Sequence, residues 1–109
     1  MVHLIARSSI LRYIEDFPTA RGELLAWAAL VEEAEWNNPG EIQAQLPQAS
    51  TLTGPQGDTR VVFRFGLRYR LICGVRFNAS APGGQLFVKW FGTHEEYNAI
   101  DPATVTRRV

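Results

Sequence analysis

The sequence predicts an α+β fold, with helices gathered in the first half of the chain and an antiparallel sheet in the second. Three observations carry this. Apolar residues between Thr19 and Trp36 recur at helical spacing. From Arg60 onward the period shortens to two, in runs rich in Val, Phe, Tyr and Ile. Between the halves lies "PQASTLTGPQGDT", whose Gly, Pro, Ser and Thr are the composition of an exposed loop.

Taken in order, "HLIA" is apolar enough for a first strand, with His3 at its edge, and "RSS" supplies a helix cap at Ser8 or Ser9. "ILRYIEDF" then reads as a brief helix, and Pro18 marks the start of a second. Leu24, Trp27, Ala28, Val31 and Ala34 make one apolar stripe along that second helix, which runs to Trp36. "NNPG" stops it, and Asn38 with Pro39 starts a third helix reaching Leu46. Three strand-forming runs follow, "RVVFRF", "LRYRLICGVRF" and "QLFVKWF", separated by Gly66 and by "NASAPGG". With 109 residues, no internal repeat and no long linker, residues 1–109 form a single domain.

Alternation along the strands sorts their side chains onto two faces. One face takes Val61, Phe63, Phe65, Leu67, Tyr69, Leu71, Cys73, Val75, Phe77, Leu86, Val88 and Trp90, all apolar and suited to packing on the helices. Trp27 and Trp36 belong to the same core, and Cys73 reads there as a small inert apolar residue. The other face takes Arg60, Arg64, Arg68, Arg70, Arg76 and Lys89, with Val62, Ile72, Gly74, Phe87 and Phe91 among them. A solvated face is normally polar, but this one carries a single sign of charge, which costs stability across neighbouring strands. Cations with interleaved aromatics suit RNA, whose phosphates take guanidinium groups and whose bases stack.

Overall charge sharpens this. The chain is neutral, yet residues 1–58 hold three arginines against eight acids, net −5, while residues 59–109 hold seven arginines and Lys89 against three acids, net +5. An acidic scaffold half and a basic working half follow. Other classes recede: the lone Cys73 excludes an internal disulfide, and two histidines with one cysteine make a poor zinc set. No apolar run is long enough for a membrane span or a secretion signal, so the expected setting is the cytoplasm.

After the last strand, "GTHEEY" combines a flexible glycine with a capping box, Thr93 as N-cap and Glu96 three residues on. His94 then opens the helix and Tyr97 lies one turn along, on the same surface. The free N–H groups of such a helix start favour a phosphate. A histidine beside a bound phosphate, with cations close by, is an apparatus for cleaving RNA. The attacking 2′-hydroxyl must lose a proton, the leaving 5′-oxygen must gain one, and the crowded phosphorus needs positive charge. His94 supplies proton transfer, Arg70 and then Lys89 supply charge, and Tyr97 holds the nucleotide. Arg60, Arg64, Arg68, Arg76 and Lys89 are the expected RNA contacts.

The stretches "AEWNNPGEI", "RVVF", "YRL" and "FGTHEEYNAID" also resemble HigB-type toxins of bacterial toxin–antitoxin systems, within the RelE/ParE superfamily. The likeness runs from "HLIA" to "AID", nearly the whole chain. It implies a RelE-like fold: a first strand and helices packed on an antiparallel sheet, then a short C-terminal helix. It also implies a ribosome-dependent mRNA interferase, an endoribonuclease that cuts translated message without a metal or cofactor. The partners implied are mRNA on the ribosome and a cognate antitoxin, a small helix-turn-helix protein. The arginine of the "YRL" motif falls on Arg70, and the histidine and tyrosine of "GTHxEY" fall on His94 and Tyr97. The loop "TLTGPQGDTR" and the turn "NASAPGGQ" are longer than in many relatives, and Gln43 stands where many carry lysine. Two other readings keep the basic face without the chemistry: a ParE-like toxin directed at gyrase, and a non-catalytic RNA-binding domain.

Overall fold

The computed structural model describes residues 2–5, 7–78 and 81–105. The chain runs β1 (His3–Ile5), α1 (Arg7–Asp16), a single 3-10 turn (Pro18–Ala20), α2 (Arg21–Glu33) and α3 (Pro39–Gln45). Four further strands follow, β2 (Ser50–Thr53), β3 (Thr59–Phe65), β4 (Tyr69–Asn78) and β5 (Ala81–Thr93), then α4 (His94–Asn98). The sheet order is β1-β5-β4-β3-β2. β2 to β5 form an antiparallel meander, and β1 adds to its far edge in parallel, pairing with β5. This is the α+β architecture that the periodicities require, with α1 to α3 on one side of the sheet and α4 at the other.

Several boundaries differ from the sequence reading, each for a physical reason. α1 begins at Arg7, so Ser8 and Ser9 lie in its first turn rather than capping it. α2 ends at Glu33 because Ala34 turns extended, and the Ala34 carbonyl accepts the Val2 N–H at 2.9 Å. Trp36 is therefore a buried loop residue, its indole donating to Gln45 Oε1 at 2.9 Å. α3 starts as its "NNPG" predicts: Asn38 Oδ1 accepts from Glu41 N, and Glu41 Oε1 accepts from Asn37 N in return. The loop read from "PQASTLTGPQGDT" contains a strand, β2, which pairs with β3 and alternates between half-buried and exposed residues. Gly66 to Arg68 form a turn, which leaves Leu67 outside any strand and 89% exposed.

The main core lies between the helices and one sheet face. Leu24, Trp27, Ala28 and Val31 of α2 meet Val61, Phe63, Leu71, Cys73, Leu86 and Val88 of the sheet. Tyr13 stacks on Phe91 at 5.3 Å between ring centroids, and Tyr69 stacks on Phe91 at 5.4 Å. Tyr69 also shares a hydrogen bond with the Thr19 hydroxyl.

Phe91 in this core is a correction to the two-face reading, and so is Trp90. Ile72 pairs with Trp90 while Cys73 pairs with Val88, so Lys89 is an extra residue in β5. One inserted residue reverses which side the following side chains face. Phe91 thus joins the main core and Trp90 moves to the opposite face, where it is 6% exposed. There it forms a second cluster with Val62 and Ile72, covered by Leu52, Tyr97, Ile100 and Val105. The outer face therefore has its own small core, roofed by α4 and the segment that follows it.

Candidate functional site

Register places the outward side chains in rows across the sheet. Next to the β3–β4 turn, Arg64 faces Arg70, and Arg70 faces Gly92. The following row is Val62, Ile72 and Trp90, and the one beyond it is Arg60, Gly74 and Phe87. At the far end Arg76 pairs with Gln85. The cationic face expected from alternation is thus split in two by the Trp90 cluster and its roof.

Arg70 is 5% exposed. Its Nη1 donates to the carbonyls of Tyr69 at 2.9 Å and Gly66 at 3.2 Å, which turns the guanidinium toward the β3–β4 turn. Burial, then the facing Arg64 cation, hold its pKa below the ordinary arginine value, while Tyr97 acts in the opposite sense. Arg64 reaches away from it, donating to the Gln48 carbonyl at 2.9 Å and to the Ser50 hydroxyl. Two like charges set opposite each other in partial burial cost stability without an anion between them. Arg68, in the turn, is exposed, with its guanidinium 6.0 Å from the Tyr69 ring centroid.

α4 delivers His94 and Tyr97 to this end. The capping box read from "THEE" is formed: Thr93 Oγ1 accepts from Glu96 N at 3.2 Å, and Glu96 Oε1 accepts from Thr93 N at 2.9 Å. The His94 N–H donates to the Arg68 carbonyl at 2.8 Å, pinning the helix start to the turn that carries Arg68. The His94 side chain is exposed. Gly92, across from Arg70, allows this chain reversal: a Cβ there would lie 2.7 Å from Glu96 Oε1 and 2.5 Å from the Trp90 indole. With five residues, α4 has little macrodipole, so positive potential here comes from guanidinium groups rather than from the helix start. Tyr97 is half-buried, its ring 6.4 Å from that of Trp90. It both roofs the outer cluster and acts on Arg70.

The structure thus brings Arg64, Arg68, Arg70, His94 and Tyr97 to one end of the sheet, around the β3–β4 turn and the start of α4. Arg60, expected among the open RNA contacts, is instead 7% exposed. Its Nη1 donates to the carbonyls of Val105 at 2.6 Å and Pro102 at 3.1 Å, and its Nε lies 3.5 Å from Asp58 Oδ2. It is a clamp on the segment behind α4, and strand alternation alone carried no signal of it. Arg76 and Lys89 stand at the opposite end, beside Phe87. Gln43, in the place of a lysine, donates to the Ala49 carbonyl at 3.4 Å and braces the chain before β2. Among the described residues no group of His, Cys, Asp and Glu is arranged to hold a metal ion, and no helix is long and apolar enough to cross a membrane.

Comparison with curated proteins finds no match for this chain. Comparison with protein families finds one, described as HigB_toxin, a RelE-like toxic component of a toxin–antitoxin system, over residues 20–100. That span takes in everything from the end of the 3-10 turn to the residues just past α4, including Arg70, His94 and Tyr97. The chain therefore belongs to the HigB toxin family, whose members are the RelE-like toxic components of toxin–antitoxin systems.

Proposed function

We propose that this toxin is a ribosome-dependent mRNA interferase, a metal-independent endoribonuclease that arrests growth by cutting translated message. The observation that carries the reading is the meeting of an exposed His94, tethered by its own N–H to the Arg68 carbonyl, with the desolvated Arg70 at one end of the sheet. The Arg70 guanidinium and the His94 backbone are each held by hydrogen bonds, so the frame of the site is organised before RNA arrives.

In the proposed reaction the 2′-oxygen attacks the adjacent phosphorus and the bond to the 5′-oxygen breaks. The products are a 2′,3′-cyclic phosphate and a 5′-hydroxyl. His94 exchanges the proton with one of these oxygens. Arg70 stabilises charge on the non-bridging oxygens, and the negative charge of the phosphate offsets its repulsion with Arg64. Arg64 and Arg68 hold the backbone on either side. Tyr97, half-buried beside Trp90, orients the nucleotide. Arg76 and Lys89 contact RNA farther along the face, and Arg60 contributes by holding the roof rather than by touching RNA. Family membership implies an antitoxin partner. A small helix-turn-helix antitoxin with an acidic segment complements the basic half and associates fastest at low salt.

Expression of the wild type in a bacterial host should stop growth while message disappears. His94→Ala and Arg70→Ala should both restore growth with the protein still folded. Arrest that persists in both variants with message intact, accompanied by DNA damage signalling, would instead point to a gyrase-directed toxin.

A further inference from the structure

We infer that Phe87, flanked by Arg76 and Lys89, is a second RNA subsite, one that stacks an unpaired base at a distance from the cleavage centre. Phe87 is half-buried on the outer face, with the Arg76 guanidinium 5.4 Å and the Lys89 ammonium 5.9 Å from its ring centroid. On β4 and β5 the outward positions described at this end are Arg76, Gln85, Phe87 and Lys89, none of them acidic.

Two backbone features build the patch. Lys89 follows Phe87 by two residues and shares its outer face by ordinary alternation, just before the bulge turns Trp90 to that face as well. Gly74, across from Phe87, leaves the sheet floor bare: a Cβ there would lie 3.1 Å from Lys89 Cε and 3.9 Å from Phe87 Cβ. The lysine stem lies across this gap and brings its ammonium to the ring. A partly exposed ring between two cations matches a stacked base with a phosphate on either side. An acidic peptide would use the cations but not the ring.

The patch is distinct from the cleavage centre. Arg76 follows Arg70 by six positions on the same strand, roughly 20 Å at strand rise. The Trp90 cluster and its roof lie between them. An RNA strand running from one to the other crosses that roof and spans several nucleotides. The inference rests on the reading of this face as an RNA surface. It deepens that reading by assigning recognition and chemistry to separate ends.

The test uses a fluorescein-labelled oligouridylate of about 12 nucleotides, titrated by anisotropy into His94→Ala protein, which leaves the probe uncut. Adding Phe87→Leu, which keeps an apolar side chain but removes the ring, should weaken binding roughly 5- to 150-fold, while Phe87→Tyr should bind like its parent. Arg76→Gln with Lys89→Gln should reduce the slope of log affinity against log salt by about 1.4, near 0.7 for each lost cation. Circular dichroism checks folding of each variant. Equal affinity for Leu and Tyr at position 87, or no RNA binding by any variant, overturns the subsite. So does retention of poly-glutamate in place of RNA, which would mark a protein-docking surface. The outcome is separable from the nuclease reading: wild type that cuts no message while Phe87→Leu weakens RNA binding sinks the cleavage and leaves the subsite standing.

Discussion

Replacing Arg60 with methionine should open the roof over the outer sheet face while leaving the main core intact. Arg60 donates hydrogen bonds to the Pro102 and Val105 carbonyls, and Val105 packs on the Val62–Ile72–Trp90 cluster. A hydrogen bond from a charged donor contributes about 1.5–3 kcal/mol net. Pro102 and Val105 are only half-buried, so their carbonyls regain water once freed, and the two bonds together stay within that range rather than doubling it. The Asp58 carboxylate, near Nε but well exposed, adds little. Loss of the clamp should therefore raise the opening equilibrium of residues 99–105 by roughly 10- to 150-fold. Amide hydrogen exchange reads this directly. Thr104 and Val105 N–H groups, bonded to the Asp101 carbonyl at 3.2 and 3.0 Å, should exchange faster by that factor. The amide of Cys73, in the middle of β4, should not change. Exchange of Thr104 and Val105 within about twofold of wild type would refute the clamp.

Other perturbations give equally specific outcomes. Gly92→Ala forces a methyl against the Trp90 indole and the Glu96 carboxylate, and should cost about 1–3 kcal/mol in denaturant unfolding while displacing α4 and lowering toxicity. Arg70→Met removes a desolvated cation opposite Arg64 but also its bonds to the Tyr69 and Gly66 carbonyls, so stability should stay within about 1 kcal/mol of wild type while activity is lost; a large fall in stability would make Arg70 structural instead. Cys73 is fully buried, and burial pushes its thiol well above the usual range, so thiol reagents should modify it only as fast as the protein unfolds. Above about pH 8.5 the unfolded thiol ionises and the folded one does not. Wild type should therefore lose about 1.4 kcal/mol of stability per pH unit relative to Cys73→Ala. Parallel pH curves for the two proteins would contradict this.

The fold was legible because its signals are local. The α2 stripe, the Asn38–Pro39 start of α3 and the capping box of Thr93 and Glu96 each follow from a few neighbouring residues. β2 was hidden because Ser50 to Thr53 gain their strand character from pairing with β3, which no local composition reveals. The β5 bulge was silent for another reason. Both Trp90 and Phe91 are aromatic, so reversing which faces the helices leaves the apolar pattern unchanged. That reversal created the outer cluster, and with it the division of the cationic face. Arg64, Arg68, Arg70, His94 and Tyr97 could be gathered from alternation and a helix cap. The clamp role of Arg60 depends on where residues 102–105 return in space, which strand period does not encode.

The proposed cleavage is tested most directly by the chemistry of cut ends on a message translated in a purified extract with the toxin added. Fragments bearing 5′-hydroxyl and 2′,3′-cyclic phosphate ends should form only on ribosome-engaged message and be absent with His94→Ala. Intact message with wild-type toxin, 5′-phosphate ends, or the same cuts from His94→Ala would contradict it.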